Sequence, residues 1–209
     1  MFALASLLTL FAASVSAMPA LSVRQTGATC TGLPDGSTDT PAYNFTLAAY
    51  NTSLPNANST GAPLVLGWGR PGTSPEASEW AVSTYAAWGS NDWPYFTLTG
   101  GALYPIPGPN ESGLDAYDFA LPSGYEVAFL VMIHESTPVV PSVYCAAADG
   151  DSEYAKLAVN NDVDSFSLCK ATTAQFTNVV LVYQADANDT FYDYSTCYPV
   201  QVNIVPYEA

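Results

Sequence analysis

Short apolar runs separated by turn residues extend through most of this 209-residue sequence. The runs are rich in Val, Ile, Phe, Tyr and Thr, which favour β-strands, and 16 prolines and 14 glycines are spread through the chain. Many short strands with frequent turns are typical of proteins built from β-sheet alone. The sequence therefore predicts a single all-β domain, an antiparallel β-sandwich or a jelly-roll-like fold stabilised by disulfides.

The clearest strand pattern lies in residues 164–206. Three strand-like runs are predicted there, at residues 165–170, 177–184 and 197–205. The third run alternates, and one of its faces is formed by Val200, Val202 and Ile204. Cys169 lies in the first run and Cys197 opens the third. A disulfide between these two cysteines would tie the strands together.

Three segments in the middle of the chain carry more specific signals. Gly100-Gly101 separates two strand-like runs and predicts a two-residue hairpin turn. Residues 125–134 are almost wholly apolar and predict a strand buried on both faces. Residues 76–88 alternate as a strand does, which is the favoured interpretation, but Ser74-Pro75 before them could also start a helix.

The first residues are typical of a targeting segment. Residues 1–13 are apolar, and Val15-Ser16-Ala17 has the small residues of a cleavage site, so residues 1–17 are predicted to be a signal peptide. Residues 18–24 end at Arg24 and are either a short pro-segment or a disordered tail. The β-sandwich domain is predicted over residues 25–209.

Sequons and cysteines predict the same secretory route. Five N-x-[ST] sequons lack proline at the middle position: Asn44, Asn51, Asn58, Asn110 and Asn188. Four cysteines in an oxidising compartment can form two disulfides with three connectivities. The favoured connectivity pairs Cys169 with Cys197 and Cys30 with Cys145. No C-x-x-C or His-rich spacing predicts a zinc site.

The charge balance restricts the partners of the chain. The formal net charge is −15, which disfavours nucleic acid and anionic membrane surfaces as partners. Charged residues are only 11% of the sequence, so the surface is expected to consist mainly of small polar residues, tyrosine and sugar.

Residues suited to catalysis are few. His134, the one histidine, follows an apolar run and precedes Glu135; a structural role is favoured over that of a general base. No G-x-S-x-G motif occurs. A polysaccharide hydrolase would need two facing carboxylates, and spacing alone does not pair the candidates, which are Glu76, Glu79, Asp115, Asp118, Glu126 and Glu135.

An acidic turn at residues 149–153 places oxygen ligands at alternate positions, as calcium loops do. Tyr154 stands where an EF-hand loop needs glycine, and the remaining ligand positions do not follow. Solvated turn residues are therefore favoured, and no metal or other cofactor is predicted.

All four tryptophans fall within 26 residues of one another, at Trp68, Trp80, Trp88 and Trp93. Core packing is the favoured interpretation of this clustering. The alternative is a surface that stacks on sugar rings. Because Gly89-Ser90-Asn91-Asp92 has the composition of a loop, Trp88 and Trp93 are predicted to be the exposed pair that would contact cell-wall polysaccharide.

The C-terminal unit resembles a known class of proteins. The matching residues are Ser167-Leu168-Cys169, the NVVLVY run at residues 178–183, the CYPVQVNIVP run at residues 197–206 and the FTLAAY run at residues 45–50. These are similar to small secreted fungal proteins of the phialide-type cell-wall family. The resemblance covers about a third of the chain and implies a β-rich, secreted or wall-associated protein without established catalytic residues.

Together these patterns predict a secreted, non-enzymatic glycoprotein of a fungal cell wall or extracellular matrix. A carbohydrate-binding module that uses the aromatic cluster is the first alternative. A hydrolase that acts on polysaccharide is the second.

Overall fold

A computed structural model describes residues 30–70, 77–133, 140–172 and 178–208. These residues form twelve strands, one four-residue α-helix and one 3₁₀ turn. In chain order they are β1 (Phe45–Asn51), β2 (Ala62–Trp68), β3 (Ala77–Thr84), α1 (Tyr85–Trp88), β4 (Tyr95–Thr99), β5 (Ala102–Ile106), the 3₁₀ turn (Pro109–Glu111), β6 (Leu114–Asp118), β7 (Ala128–Ile133), β8 (Tyr144–Ala147), β9 (Ala155–Val159), β10 (Phe166–Ala171), β11 (Val179–Tyr183) and β12 (Tyr192–Pro206). The predicted all-β fold is confirmed.

Six strands form a closed, barrel-like sheet in which each strand pairs with two antiparallel neighbours, and we call this sheet the ring. β1 pairs with β2, β2 with β3, β3 with β11, β11 with β10, β10 with β12, and β12 with β1. The pairing that closes the ring extends along the whole of β1, from Phe45 opposite Pro206 to Asn51 opposite Val200. Opposite walls of the ring face each other across one core, as the two layers of a sandwich do.

Three hairpins extend this ring. The β4–β5 hairpin joins it through β1, the β6–β7 hairpin through β3, and the β8–β9 hairpin through β12. The β4–β5 turn is the predicted Gly100-Gly101 pair, with φ of +56° and +78°. Positive φ at both central residues is the geometry that matches the twist of paired strands, and glycine adopts it at little cost.

Side chains of the ring strands and of the three hairpins together form the main core. The alternation predicted for β12 is confirmed, because the core contains Val200, Val202 and Ile204. Each fully buried aliphatic side chain of this kind contributes about 1.5–3 kcal/mol. β11 alternates too, and its other face packs Val180 and Val182 into a smaller cluster with Cys169 and Tyr192.

Two disulfides fasten the chain to this framework. Cys30 bonds to Cys145 and fixes the N-terminal turns against β8, while Cys169 bonds to Cys197 and joins β10 to β12. This is the connectivity that the sequence favours. The bridges close loops of 115 and 28 residues, and each is worth about 3–5 kcal/mol on the chain-entropy model.

The ambiguous segment at residues 76–88 contains both predicted structures in succession. Strand β3 ends at Thr84, and α1 follows at once. Gly89 ends this helix with φ of +84° and donates its N–H to the Tyr85 carbonyl. No helix in the described ranges has the length and apolar character to cross a membrane.

The strand predicted at residues 125–134 is buried on both faces only at residues 126–129, and Tyr125 before them is exposed. Residues 124–127 bond to β11, through Val127 N–H to Leu181 O and Tyr183 N–H to Tyr125 O. β7 then begins, and Ile133 at its end is exposed because β7 has by then passed the edge of the core. His134 lies outside the described residues.

Candidate functional site

The four tryptophans contact one another in what we call the tryptophan cluster. Trp80 lies at its centre, with ring centroids 6.3 Å from Trp68, 6.3 Å from Trp88 and 6.2 Å from Trp93. The cluster extends from the core to the surface. Trp93 is 1% exposed and belongs to the main core, whereas Trp68 is 48% exposed.

The predicted exposure of Trp88 and Trp93 therefore needs correction. It is wrong for Trp93 and holds only in part for Trp88, which is half-buried. The reason for Trp88 is local: α1 folds its ring over β2 at Gly67, where an added Cβ would lie 2.9 Å from the ring. For Trp93, the loop composition before it does not decide which way the side chain points. The side chain points inward, two residues before β4 begins at Tyr95.

Two of the candidate glycosidase carboxylates, Glu79 and Glu126, contact the same guanidinium. Arg70 donates from Nε and Nη2 to Glu126 Oε2, and its Nε lies 3.9 Å from Glu79 Oε1. Arg70 Nη2 also contacts Asp189 Oδ2 at 3.3 Å. The guanidinium carbon lies 4.4 Å and 3.6 Å from the ring centroids of two aromatic residues, Tyr125 and Phe191.

The electrostatics of this group suit a structural clamp. Burial raises the pKa of Glu126 against the opposing hydrogen bond and charge of Arg70. Burial and then the charge of Glu126 raise the pKa of Glu79. Glycoside hydrolysis needs two carboxylates on either side of a sugar. Here both carboxylates contact one arginine, which joins the end of β2 to the loop before β12.

Asp118 is another candidate carboxylate that the fold places in the interior. It lies at the end of β6 and is 4% exposed. Burial raises its pKa well above the usual range, outweighing the opposite effects of the Phe119 N–H and the Tyr144 hydroxyl. Neither carboxyl oxygen makes a well-formed hydrogen bond within the described residues. Asp115, three residues before Asp118, accepts a hydrogen bond from Tyr117 Oη at 3.0 Å.

The other catalytic candidates are Glu76, His134 and Glu135, and all three lie outside the described residues. Their predicted roles stay predictions. The signal peptide at residues 1–17 and the junction at Arg24 also lie outside them.

The acidic turn at residues 149–153 faces a lysine. Asp149 Oδ2 lies 3.9 Å from Nζ of Lys156, and Lys156 donates to Asn203 Oδ1. Burial lowers the pKa of Lys156, and the charge of Asp149 opposes that effect. In the described part of the chain, no three His, Cys, Asp or Glu side chains gather as a metal site would require.

A cleft of about 450 Å³ opens on the outer face of the C-terminal strands. We call it the bulge cleft. Tyr194, which is 49% exposed, stands on one side of it, and its other principal lining residues are Asp164, Ser167, Gln184, Cys197 and Pro199. Ser167 alternates with the buried Phe166 and Leu168, so its side chain is on the outer face of β10.

A large bulge in β12 creates this cleft. Lys170 of β10 lies opposite Asp193, and Leu168 lies opposite Tyr198, so residues 194–197 of β12 face Cys169 alone. Bulges re-aim side chains and are frequent beside functional sites. The Cys169–Cys197 disulfide spans the bulge, and Thr196 Oγ1 accepts the Lys170 N–H at 2.9 Å.

Gln184 forms the wall of the cleft facing β10 in a strained backbone conformation. Its φ is +48°, in the left-handed region that residues with a Cβ seldom adopt. Its N–H donates to Ser165 O at 2.7 Å, and its Nε2 donates to Tyr183 Oη at 3.1 Å. Strain of this kind persists where the surroundings hold the residue in place, and it is frequent at ligand sites.

The sequon asparagines lie at the surface. Four of them are exposed: Asn44, Asn58, Asn110 and Asn188. Asn51 is half-buried, and its Oδ1 accepts the N–H groups of Ser53 and Leu54, both at 2.8 Å. Asn188 lies in the loop that connects Gln184 to the start of β12.

In comparisons with known proteins, no family model, no curated sequence and no solved structure matches the chain. The resemblance of the C-terminal strands to phialide-type cell-wall proteins stays a prediction. Function is therefore inferred from the residues and their geometry.

Proposed function

We propose that the protein is a secreted, non-enzymatic glycoprotein of a fungal cell wall or extracellular matrix. The observation that carries this proposal is the position of the sequons, since four of the five asparagines are exposed and the fifth is half-buried. Glycans at these positions would hydrate a surface on which charged side chains are scarce, because only 11% of all residues are charged.

The disulfides support the same compartment. All four cysteines are paired, and structural disulfides persist in oxidising surroundings outside the cytosol. The Cys30–Cys145 bridge secures the first described residues, so it would protect a mature N-terminus that follows a cleaved leader.

A structural role is supported by the positions of the carboxylates. Glu79 and Glu126 contact Arg70, and Asp118 lies inside the core. At these positions the three carboxylates affect the stability of the fold. They do not line the bulge cleft, in which Asp164 provides the carboxylate.

Expression of the full 209-residue chain in a filamentous fungal host tests this proposal. We expect protein in the wall and medium fractions, beginning at Met18 or Gln25 by mass spectrometry, with a mass that falls on endoglycosidase treatment. The control variant Asn188→Gln should lose the mass of one glycan and reach the same fractions. Recovery of the unprocessed, unglycosylated chain from the cytosol would contradict the proposal.

A further inference from the structure

The bulge cleft combines a projecting aromatic ring, a strained polar residue and a disulfide-fixed wall. We propose that it binds an uncharged oligosaccharide, an inference that rests on the extracellular role proposed above. Sugar rings have apolar C–H faces and a rim of hydroxyl groups, so they bind where an aromatic face lies beside convergent polar side chains.

Tyr194 provides the aromatic face. It is 49% exposed although it belongs to a strand, because the bulge at residues 194–197 turns it away from the sheet. The bulge is held by its own contacts: Thr196 Oγ1 donates to Asp193 O at 2.6 Å, and Ser195 N–H donates to Asp193 Oδ1 at 3.0 Å. A backbone fixed in advance around this ring loses less conformational entropy on binding.

Gln184, Asp164 and Ser167 provide the polar groups. Carboxamide, carboxylate and hydroxyl groups can together donate and accept the hydrogen bonds that sugar hydroxyls need. Gln201 Nε2 donates to Asp164 Oδ1 at 2.7 Å, which fixes the position of the carboxylate. The left-handed backbone of Gln184 is likewise held from both sides, by Ser165 O and by the Ser123 hydroxyl.

Charge selects the class of sugar. Among the described residues that line the cleft, Asp164 is the only charged one, and the chain as a whole carries −15. An anionic oligosaccharide would meet repulsion without a compensating cation. The volume of about 450 Å³ lies in the usual range of small-ligand sites, about 300–1,000 Å³. Since the cleft is open to one side, it admits a segment of a longer chain.

Two sources can supply such a sugar. One is a neutral polysaccharide of the surrounding wall or matrix. The other is the protein's own N-glycan at Asn188, which lies on the loop that begins at Gln184. Binding assays on the secreted protein, before and after endoglycosidase treatment, distinguish them. Binding that appears only after treatment identifies the protein's own glycan as the occupant, and equal binding in both forms identifies the external polysaccharide.

The test measures binding of defined oligosaccharides to the endoglycosidase-treated protein by calorimetry. The neutral set consists of β-glucan, chitin and mannan oligosaccharides, and the anionic control is an oligogalacturonate. We expect binding to at least one neutral probe and none to the anionic one. Tyr194→Ala should weaken binding at least about tenfold, and Tyr194→Phe, which keeps the ring, should change it less than about threefold.

Tyr85→Ala is the matched control. Tyr85 is 47% exposed, close to the value for Tyr194, but it lies on α1 beside the tryptophan cluster. We expect this variant to bind as the wild type does. No binding to any neutral probe at millimolar concentration would overturn the proposal, as would preferential binding of the anionic probe or an equal loss in the Tyr85 variant. A secreted glycoprotein that binds no sugar would overturn only this inference and leave the proposed function standing.

Discussion

The tryptophan cluster and the bulge cleft are both centred on aromatic side chains, but these side chains are packed differently in the two regions. The tryptophans pack on one another from Trp93 in the core outward to Trp68, so most of their surface is buried within the fold. Tyr194 stands alone on a bulge beside polar side chains. In this chain the dense group of aromatic residues extends outward from the core, whereas the proposed site is built on a single tyrosine displaced from its strand.

The largest difference between the two regions should be in stability. Trp93→Ala removes a fully buried ring and should lower the free energy of unfolding by about 3–5 kcal/mol. Urea unfolding followed by circular dichroism measures the change. Tyr194→Ala, the comparison variant, should change it by less than about 0.5 kcal/mol. An effect of Trp93→Ala as small as the one expected for Tyr194→Ala would mean that Trp93 is not part of the core.

The disulfides allow a second comparison, in which loss of a bridge should lower the free energy of unfolding by about 3 kcal/mol. Replacing Cys169 and Cys197 together by alanine should lower stability by that amount and also weaken sugar binding, because the bulge is no longer fixed to β10. Replacing Cys30 and Cys145 should lower stability similarly but leave sugar affinity unchanged. Calorimetric titration of both variants checks this prediction. Equal losses of sugar affinity would mean that the Cys169–Cys197 disulfide has no specific role in the binding site.

Much of the fold could be predicted because its signals are local. The Gly100-Gly101 turn, the alternation along β12 and the pairing of Cys169 with Cys197 all follow from residues close together in the sequence. Closure of the ring by β1 and β12 could not be predicted, since Phe45 and Pro206 meet only in the folded chain.

The site itself gave a weaker signal than the fold. Residues 192–196 are polar and have the composition of a loop, yet they continue β12 because Asp193 and Tyr192 pair with β10 beyond the bulge. The exposure of Tyr194 and the strain at Gln184 both depend on that non-local pairing. The burial of Asp118 depends on a different non-local contact, because Tyr144 reaches it from the β8–β9 hairpin.

Acidity should affect the free energy of unfolding through Asp118, on the side of the fold that contains the tryptophan cluster. Asp118 pairs with Phe129 in the sheet, and Phe129 pairs with Trp80. The folded-state pKa of Asp118 is raised above the unfolded value of about 3.9, so the folded chain keeps a proton that the unfolded chain releases. The contribution of Asp118 to stability should therefore be greatest below about pH 4 and fall as pH rises towards the folded pKa, by up to about 1.4 kcal/mol per pH unit.

Asp118→Asn should remove this part of the pH dependence, because the amide has the shape of the protonated acid and does not ionise. Urea unfolding at a series of pH values between about 4 and 7 measures the slope. Glu79 and Glu126 have pKa values raised in the same direction, so a smaller slope of the same sign should remain. An unchanged slope in the variant would show that the carboxyl is not held protonated in the core.

Only a small effect on stability is expected at Gln184. Gln184→Gly removes the strain of φ +48° but loosens the unfolded chain, so stability should change by less than about 1 kcal/mol. Sugar affinity should nevertheless fall, because the carboxamide is lost. Asn160→Gly is the control: Asn160 also has a positive φ, of +51°, but does not line the cleft, and its variant should bind normally. A Gln184 variant with wild-type affinity would exclude this side chain from the site.

One experiment compares the two regions directly. An NMR titration of the secreted, endoglycosidase-treated protein with the neutral oligosaccharide reports on both at once, through backbone amides around the cleft and the indole N–H groups of the tryptophans. We expect the changes to concentrate at residues 164–167, 184–185 and 194–198, with the indole signals unmoved. Shifts confined to the indole signals of Trp68 and Trp88 would contradict the placement of the binding site in the bulge cleft.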